Sequence, residues 1–151
     1  MILIKTSVLQ RFFFTKKMMT ERDTLLSKIK IEKLGEINAT SSSEEKFQNC
    51  SLRPILKLQN DLLLQFFISY AIKNKKVFFY LSQENKFKYI ENSVQSDNVF
   101  RNQLIGLIIG LFSMSEYKEY AKNPSNLNKR ILNLLIERWK SQLHLLENNL
   151  F

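Results

Sequence analysis

The chain contains almost no histidine or cysteine. His144 is the only histidine and Cys50 the only cysteine among 151 residues. A zinc cage and a disulfide framework each need more such side chains than the chain has, and a Cys–His catalytic pair would have to use both of them, so the composition disfavours all three kinds of site. We therefore predict no metal, no cofactor and no catalytic residue, and we interpret the chain as a protein that is not an enzyme.

Glycine, proline and long apolar runs are also scarce. The chain has three glycines and two prolines, and no Gly-rich phosphate-binding motif occurs in it. The longest apolar stretches, residues 62–72 and 104–112, are too short to span a bilayer. Lys5 and Arg11 interrupt every stretch that could form a secretory signal. We therefore predict no transmembrane segment and a cytoplasmic location.

Positive charge is concentrated at the N-terminus. Residues 1–17 carry four basic side chains and no acidic one, whereas the rest of the chain carries 19 basic and 14 acidic side chains. We interpret residues 1–38 as a basic leader and linker that is either disordered or lies before the true start of the protein. An organellar presequence or a membrane-surface helix is the alternative for residues 1–17.

Apolar residues recur every three or four positions from about residue 43 to residue 146, which is typical of amphipathic helices. The length suits a single domain. The pattern therefore predicts an all-α, single-domain helical bundle of about six helices over residues 39–148. Residues 77–81 alone have a strand-like composition, and we interpret them as a packed connector because no second strand is available for pairing.

One helix is predicted over residues 54–74, with Pro54 in its first turn. Lys57, Asp61 and Gln65 form a narrow polar stripe, so the remaining faces of this helix should be buried at the centre of the bundle. Helices also need capping residues at their N-termini. The predicted caps are residues 40–43, Ser82, Asp97 or Asn98, Ser113 with Glu116, and Ser125.

Gly106 and Gly110 lie one turn apart in a helix predicted near residues 99–112. Glycine costs a helix interior about 1 kcal/mol relative to alanine, so a compensating close contact is expected. We predict a helix-packing groove inside the fold, with a dimer seam or a flat ligand surface as alternatives.

Several segments together resemble a small bacterial family of uncharacterised helical proteins. The segments are ATSSSEEKFQ (39–48), LRPILKLQND (52–61), YIEN (89–92), FRN (100–102) and LNKR (127–130). The resemblance covers roughly residues 37–146. Some members are labelled glyoxalase, which would imply a metal-dependent enzyme of mostly β fold with several His, Gln or Glu ligands. The residues of this chain disfavour that activity.

The polar residues of these segments lie among apolar neighbours, so they are candidates either for recognition or for stabilising the bundle. They are Arg53, Asn60, Asp61, Arg101, Asn102, Asn128 and Arg130. We expect a non-enzymatic protein-interaction module whose partner is an unidentified protein or a second copy of the chain in a homo-dimer. Weak nucleic-acid binding through basic helical surfaces is the alternative, and a glyoxalase-like metalloenzyme is the second alternative.

Overall fold

The computed structural model describes residues 21–30 and 41–148. Helices contain 84% of these residues, and none of these residues lies in a strand. The all-α prediction is therefore confirmed for this part of the chain. The elements in chain order are α1 (Glu21–Ile29), α2 (Ser43–Phe47), a π-helical segment (Gln48–Leu52), α3 (Arg53–Leu58), α4 (Asn60–Lys73), a 3-10 helix (Val77–Tyr80), α5 (Gln83–Ser96), α6 (Asn98–Ile109), α7 (Met114–Tyr120), α8 (Pro124–Ser141) and α9 (Leu143–Glu147).

Residues 43–58 form one continuous helical rod, because the backbone keeps right-handed helical angles at both junctions of the π-helical segment. We predicted that a new helix starts at Pro54, and the structure differs. A proline ring inside an α-helix collides with the carbonyl four residues earlier. The π-helical segment ends two residues before Pro54, and the Arg53 amide donates to the carbonyl of Gln48, five residues back. This wider turn accommodates the proline within the rod.

The helix predicted over residues 54–74 occurs as α3 and α4, which meet at Gln59. The Gln59 amide still donates to the Ile55 carbonyl at 2.9 Å, and the Leu63 amide donates to the Gln59 carbonyl at 2.9 Å. Gln59 itself has φ −85° and ψ 4°, outside the helical range, so the hydrogen-bond ladder is interrupted there and resumes at the Leu63 amide.

The expectation that only a narrow polar stripe of this helix faces water was wrong. Leu58 and Leu62 are 44% and 48% exposed, and Ile72 is 37% exposed. The opposite side of α4 is buried through Leu63, Phe67 and other apolar side chains. The helix therefore has one buried face and an outer face that is partly apolar.

Aromatic rings fill the centre of the core. The fully buried ring of Phe67 on α4 lies 4.9 Å from Trp139 on α8, 5.1 Å from Phe78 on the 3-10 helix and 6.3 Å from Tyr89 on α5. Rings at such distances attract each other in edge-to-face or tilted geometry in addition to burying apolar area. Residues 77–81 are thus part of a packed connector, as predicted, and not a strand.

The N-caps follow the sequence signals with one exception. The hydroxyls of Ser42 and Ser82 accept the amides of the third residue beyond them, and Asp97 caps α6 in the same way. Ser113 and Glu116 form the predicted capping box of α7. The cap of α8 is not Ser125 but Asn123, because Pro124 takes the first helical position, where its missing N–H costs nothing.

Residues 21–29 were assigned to the leader and linker, yet they form helix α1, which lies against residues 110–116. Leu26 is buried, and the Lys30 ammonium donates to the Leu111 carbonyl at 2.9 Å and to Glu116 at 2.5 Å. Glu116 also accepts the Ser113 amide at 2.7 Å and is hydrogen-bonded to Ser51. One carboxylate therefore links α1, the π-helical segment and the start of α7. Residues 1–20 and 31–40, which include the rest of the predicted leader and linker, lie outside the described residues.

The C-terminus of α4 is closed by two lysines in the left-handed region. Lys75 has φ 63° and Lys76 has φ 59°. The Lys76 amide donates to the Ala71 carbonyl at 3.1 Å, which is the long hydrogen bond of a Schellman motif with Lys75 at the position that usually holds glycine. A residue with a side chain adopts this backbone conformation at a cost of about 1 kcal/mol relative to glycine, so the turn is strained.

We expect Lys75→Gly to raise the free energy of unfolding by about 0.5–1 kcal/mol, because glycine adopts a positive φ without the clash at Cβ. Urea-induced unfolding followed by circular dichroism measures the change. The matched control is Lys129→Gly inside α8, where the same substitution should lower stability by a similar amount. Loss of stability in both variants would contradict a strained left-handed turn at Lys75.

Protonation of the Glu116 carboxylate should lower the stability of the protein in acid. Burial raises the pKa of this carboxyl, but hydrogen bonds from Lys30, Ser113 and Ser51 and the charge of Lys30 outweigh it, so its pKa lies below the ordinary 4.5. A lowered folded-state pKa contributes stability that is complete above the ordinary value and is lost as the pH falls through the folded value.

We therefore expect Glu116→Gln to lower stability at pH 7 by about 1–2 kcal/mol and to flatten the stability profile below about pH 4.5. Chemical unfolding at a series of pH values tests both effects. Glu119→Gln on the same helix is the control, because its ion pair with Lys122 is exposed and should contribute little. Equal effects of the two substitutions would show that Glu116 is not a linking residue.

Candidate functional site

Helices α4 and α6 lie side by side in antiparallel directions. At one end, the Gln59 side-chain amide just before α4 donates to the Leu107 carbonyl at 3.3 Å. Further along α4, the Tyr70 ring stacks on Phe100 with centroids 3.9 Å apart. The start of one helix therefore lies beside the end of the other, and a long shallow surface separates them.

Each of the two helices contributes one outward-facing stripe to this surface. On a helix, residues three, four, seven and eleven positions apart share a face. We define the α4–α6 groove by the two stripes, which are Leu62, Phe66, Ser69 and Lys73 on α4, and Val99, Gln103, Gly106 and Gly110 on α6. All eight residues are exposed except Phe66, which is half-buried.

One end of the groove opens into a cleft of about 470 Å³, which we call the aromatic cleft. Its lining residues are Phe66, Ser69, Tyr70, Lys73, Asn74, Asp97, Val99, Phe100 and Gln103. Val99 stands at its edge with 69% of its surface exposed. The cleft therefore offers concave apolar surface to the solvent, which is typical of sites that receive a side chain of a partner.

Three rings form the floor of the aromatic cleft. Phe66 stacks on Phe100 with centroids 5.6 Å apart and planes within 2° of parallel, and Tyr70 stacks on Phe100 as well. Burial raises the pKa of Tyr70, and the charge of Asp97, the neighbouring Tyr89 and a hydrogen bond to Asp97 raise it further. Tyr70 therefore stays a neutral phenol across the physiological pH range and acts as an apolar ring with one polar edge.

The other end of the groove contains the two glycines. A Cβ at Gly106 would meet no described heavy atom within 4 Å, and one at Gly110 would lie 3.3 Å from the Gly106 carbonyl of the same helix. No described element therefore packs closely on Gly106, unlike the predicted packing inside the fold. The alternatives of a dimer seam and a ligand surface stay predictions, and both place the contact on the α4–α6 groove.

The groove carries few charged side chains of its own, and the Arg22 guanidinium lies at its glycine end. Of the eight residues that define it, Lys73 alone carries a charge. Asp97 adds one carboxylate inside the aromatic cleft, where it accepts the Phe100 amide at 3.0 Å. A surface without charged groups loses little hydration energy when it is covered, so it favours contact with an apolar partner.

The predicted polar residues are not brought together in one site. Arg130 donates to Glu44 at 3.1 Å and to Gln48 at 2.9 Å, so it joins α8 to the rod over residues 43–58. Asn128 accepts the hydroxyl of Tyr120 at 2.9 Å. These contacts serve the packing of helices, and Arg130 also lines a shallow polar cleft with Glu44.

The other predicted residues are dispersed along α3, α4 and α6. Asn60 accepts Nε of Arg138 at 2.6 Å and donates to exposed Asp61 at 3.4 Å. Arg101 donates to the Gln95 carbonyl at 2.9 Å and supports the turn before α6. Arg53 and Asn102 are exposed, and no hydrogen bond to the described residues is seen for either side chain.

The residues with metal-binding or nucleophilic chemistry are also separated. Within residues 21–30 and 41–148, no three side chains of His, Cys, Asp or Glu form a group able to hold a metal ion. His144 is exposed, and Cys50 is half-buried in the π-helical segment. None of the described helices is long and apolar enough to cross a membrane.

The aromatic cleft is not among the sites predicted from the sequence. The available signal was a pair of helices, each with a stripe at helical spacing that is uncharged except for Lys73. No family model, curated protein or solved structure matches this chain. The geometry of the groove therefore carries the functional argument by itself.

We expect Gly106→Ala to raise the free energy of unfolding by about 1 kcal/mol, because alanine favours the helix and its methyl group has open space. Urea-induced unfolding measures the gain. Gly110→Ala is the matched control, with a smaller gain because its methyl group would approach the Gly106 carbonyl. A loss of stability in Gly106→Ala would mean that a further segment or a second molecule lies against this position.

Proposed function

We propose that this chain is a cytoplasmic, non-enzymatic protein-interaction module, a single-domain bundle of about six helices that binds a protein partner through the α4–α6 groove. The observation that carries the proposal is the aromatic cleft, a concave and mainly apolar site at the surface of the protein. Exposed apolar surface of this kind lowers solubility unless it has a partner to cover it.

The shape of the aromatic cleft suits one large apolar side chain of a partner. Binding energy at protein interfaces is concentrated in a few buried aromatic or apolar side chains that enter pockets. The floor of Phe66, Tyr70 and Phe100 offers ring faces and edges to such an anchor, and Lys73, Asn74 and Gln103 offer polar groups around it. Gly106, three residues beyond Gln103 on the same face of α6, has open space around its Cα.

Membership of the small bacterial family that the sequence resembles is part of the same proposal. Two of the resembling segments, residues 52–61 and 100–102, belong to the helices that form the groove or lead into it. The related proteins would then share the groove, whereas a glyoxalase reaction would require a set of metal ligands that the described residues do not bring together.

We expect Val99→Glu to abolish partner binding without unfolding the protein. The substitution places a carboxylate at the mouth of the aromatic cleft, where covering it would cost several kcal/mol of hydration. Val99 is the second residue of α6, a position at which a negative charge is favourable. The measurement is affinity purification of the tagged full chain from its native cells, with co-purifying proteins identified by mass spectrometry.

Ser125→Glu is the matched control, because it adds the same charge at the second residue of α8, away from the groove. The proposal expects a defined protein that co-purifies with the wild type and with Ser125→Glu but not with Val99→Glu. The same set of proteins with all three versions would refute it. Urea-induced unfolding of each version verifies that stability is unchanged.

A further inference from the structure

The N-terminal segment of the chain enters the structure beside the α4–α6 groove. Arg22, in the first turn of α1, donates to the Gly110 carbonyl at 2.6 Å and also to the Phe112 carbonyl. Asp23 accepts the Met114 amide at 3.1 Å. These contacts attach the start of α1 to the glycine end of the groove, so the residues that precede Glu21 begin there.

The distance to the aromatic cleft is short compared with the length of this segment. Gly110 and Val99 are eleven positions apart along α6, which corresponds to about 16 Å at the rise of an α-helix. Phe13 is eight positions before Glu21, which corresponds to about 12 Å as a helix and up to about 28 Å when extended. The segment is therefore long enough to reach the cleft when it is extended, but not as a continuous helix.

The composition of the segment fits the cleft. Phe12, Phe13 and Phe14 are consecutive and account for three of the twelve phenylalanines in the chain. Phenylalanine side chains gain from both burial and ring contacts on a floor of aromatic residues. The segment contains no acidic residue, so its cations can approach Asp97 at one edge of the cleft, while Lys73 at the other edge favours the uncharged rings over a basic side chain.

Covalent attachment makes even a weak contact effective. A segment tethered close to its site has an effective concentration in the millimolar range, so a contact with millimolar affinity is about half formed. A free partner at micromolar concentration must bind roughly a thousandfold more tightly to compete at the same level.

We propose that the segment Phe12–Phe14 of the same chain docks in the aromatic cleft and occupies it until a partner displaces it. This inference rests on the proposed function, and it names the molecule that occupies the interaction surface when no partner is bound. The basic leader is then an internal competitor for the groove.

Disulfide trapping in the full chain tests the docking. In a Cys50→Ser background, Phe13→Cys is combined with Gln103→Cys at the lining of the cleft, and in the control with Lys129→Cys on the exposed side of α8. After mild oxidation of dilute protein, the peptides joined within one chain are quantified by mass spectrometry. We expect about tenfold more intramolecular disulfide in the cleft pair than in the control pair.

Two outcomes would overturn the inference. Equal yields in the two pairs would mean that the leader contacts the surface at random, and disulfides mainly between chains would mean that a second copy occupies the groove. The docking of the leader and the proposed interaction function are refuted by different results. Suppose that a protein binds the wild type but not Val99→Glu, and that the cleft pair forms no more intramolecular disulfide than the control pair. The interaction module would then stand, and the internal competitor would be refuted.

Discussion

The contacts of Phe67 hold the structure together. Its fully buried ring meets rings from α5, α6, α8 and the 3-10 helix, with Trp139 at 4.9 Å and Phe100 at 6.5 Å. Because one side of α4 is committed to this cluster, the orientation of the helix is determined, and its other side must face outward. The exposed stripe of Leu62 and Phe66 is thus a direct consequence of the buried one, and it places apolar side chains along the α4–α6 groove.

Polar contacts then connect the ends of the chain to this core. Glu116 links α1 to the start of α7, and Lys86, almost fully buried on α5, pairs with Glu147 of α9 at 2.6 Å while lying 5.8 Å above the Phe78 ring. Such pairs repay the hydration that their charges lose only when their geometry is good, so they specify where a terminal helix docks more than they add stability. The position of α1 beside Gly110 follows from the contacts of Arg22 and Lys30.

The predicted polar residues have the apolar surroundings that the sequence indicated, but they do not form one site. Arg130, Asn128 and Asn60 do lie among apolar neighbours, but each contacts a different helix, because side chains that share a sequence motif are separated by the rotation of the helix that carries them. The aromatic cleft was missed for the opposite reason. Phe66, Tyr70 and Phe100 come from two helices far apart in sequence, and only their antiparallel packing turns three ordinary apolar residues into one surface.

Local chemistry is what the amino-acid sequence by itself determined. The helical period, the caps at Ser82, Asp97 and Ser113 and the absence of strand pairing depend on residues within a few positions of each other, so they can be read directly from the chain. The tertiary structure decided that α1 exists as a packed helix and which apolar residues of α4 face outward. Those outcomes depend on contacts between segments distant in sequence, whose geometry no local pattern contains.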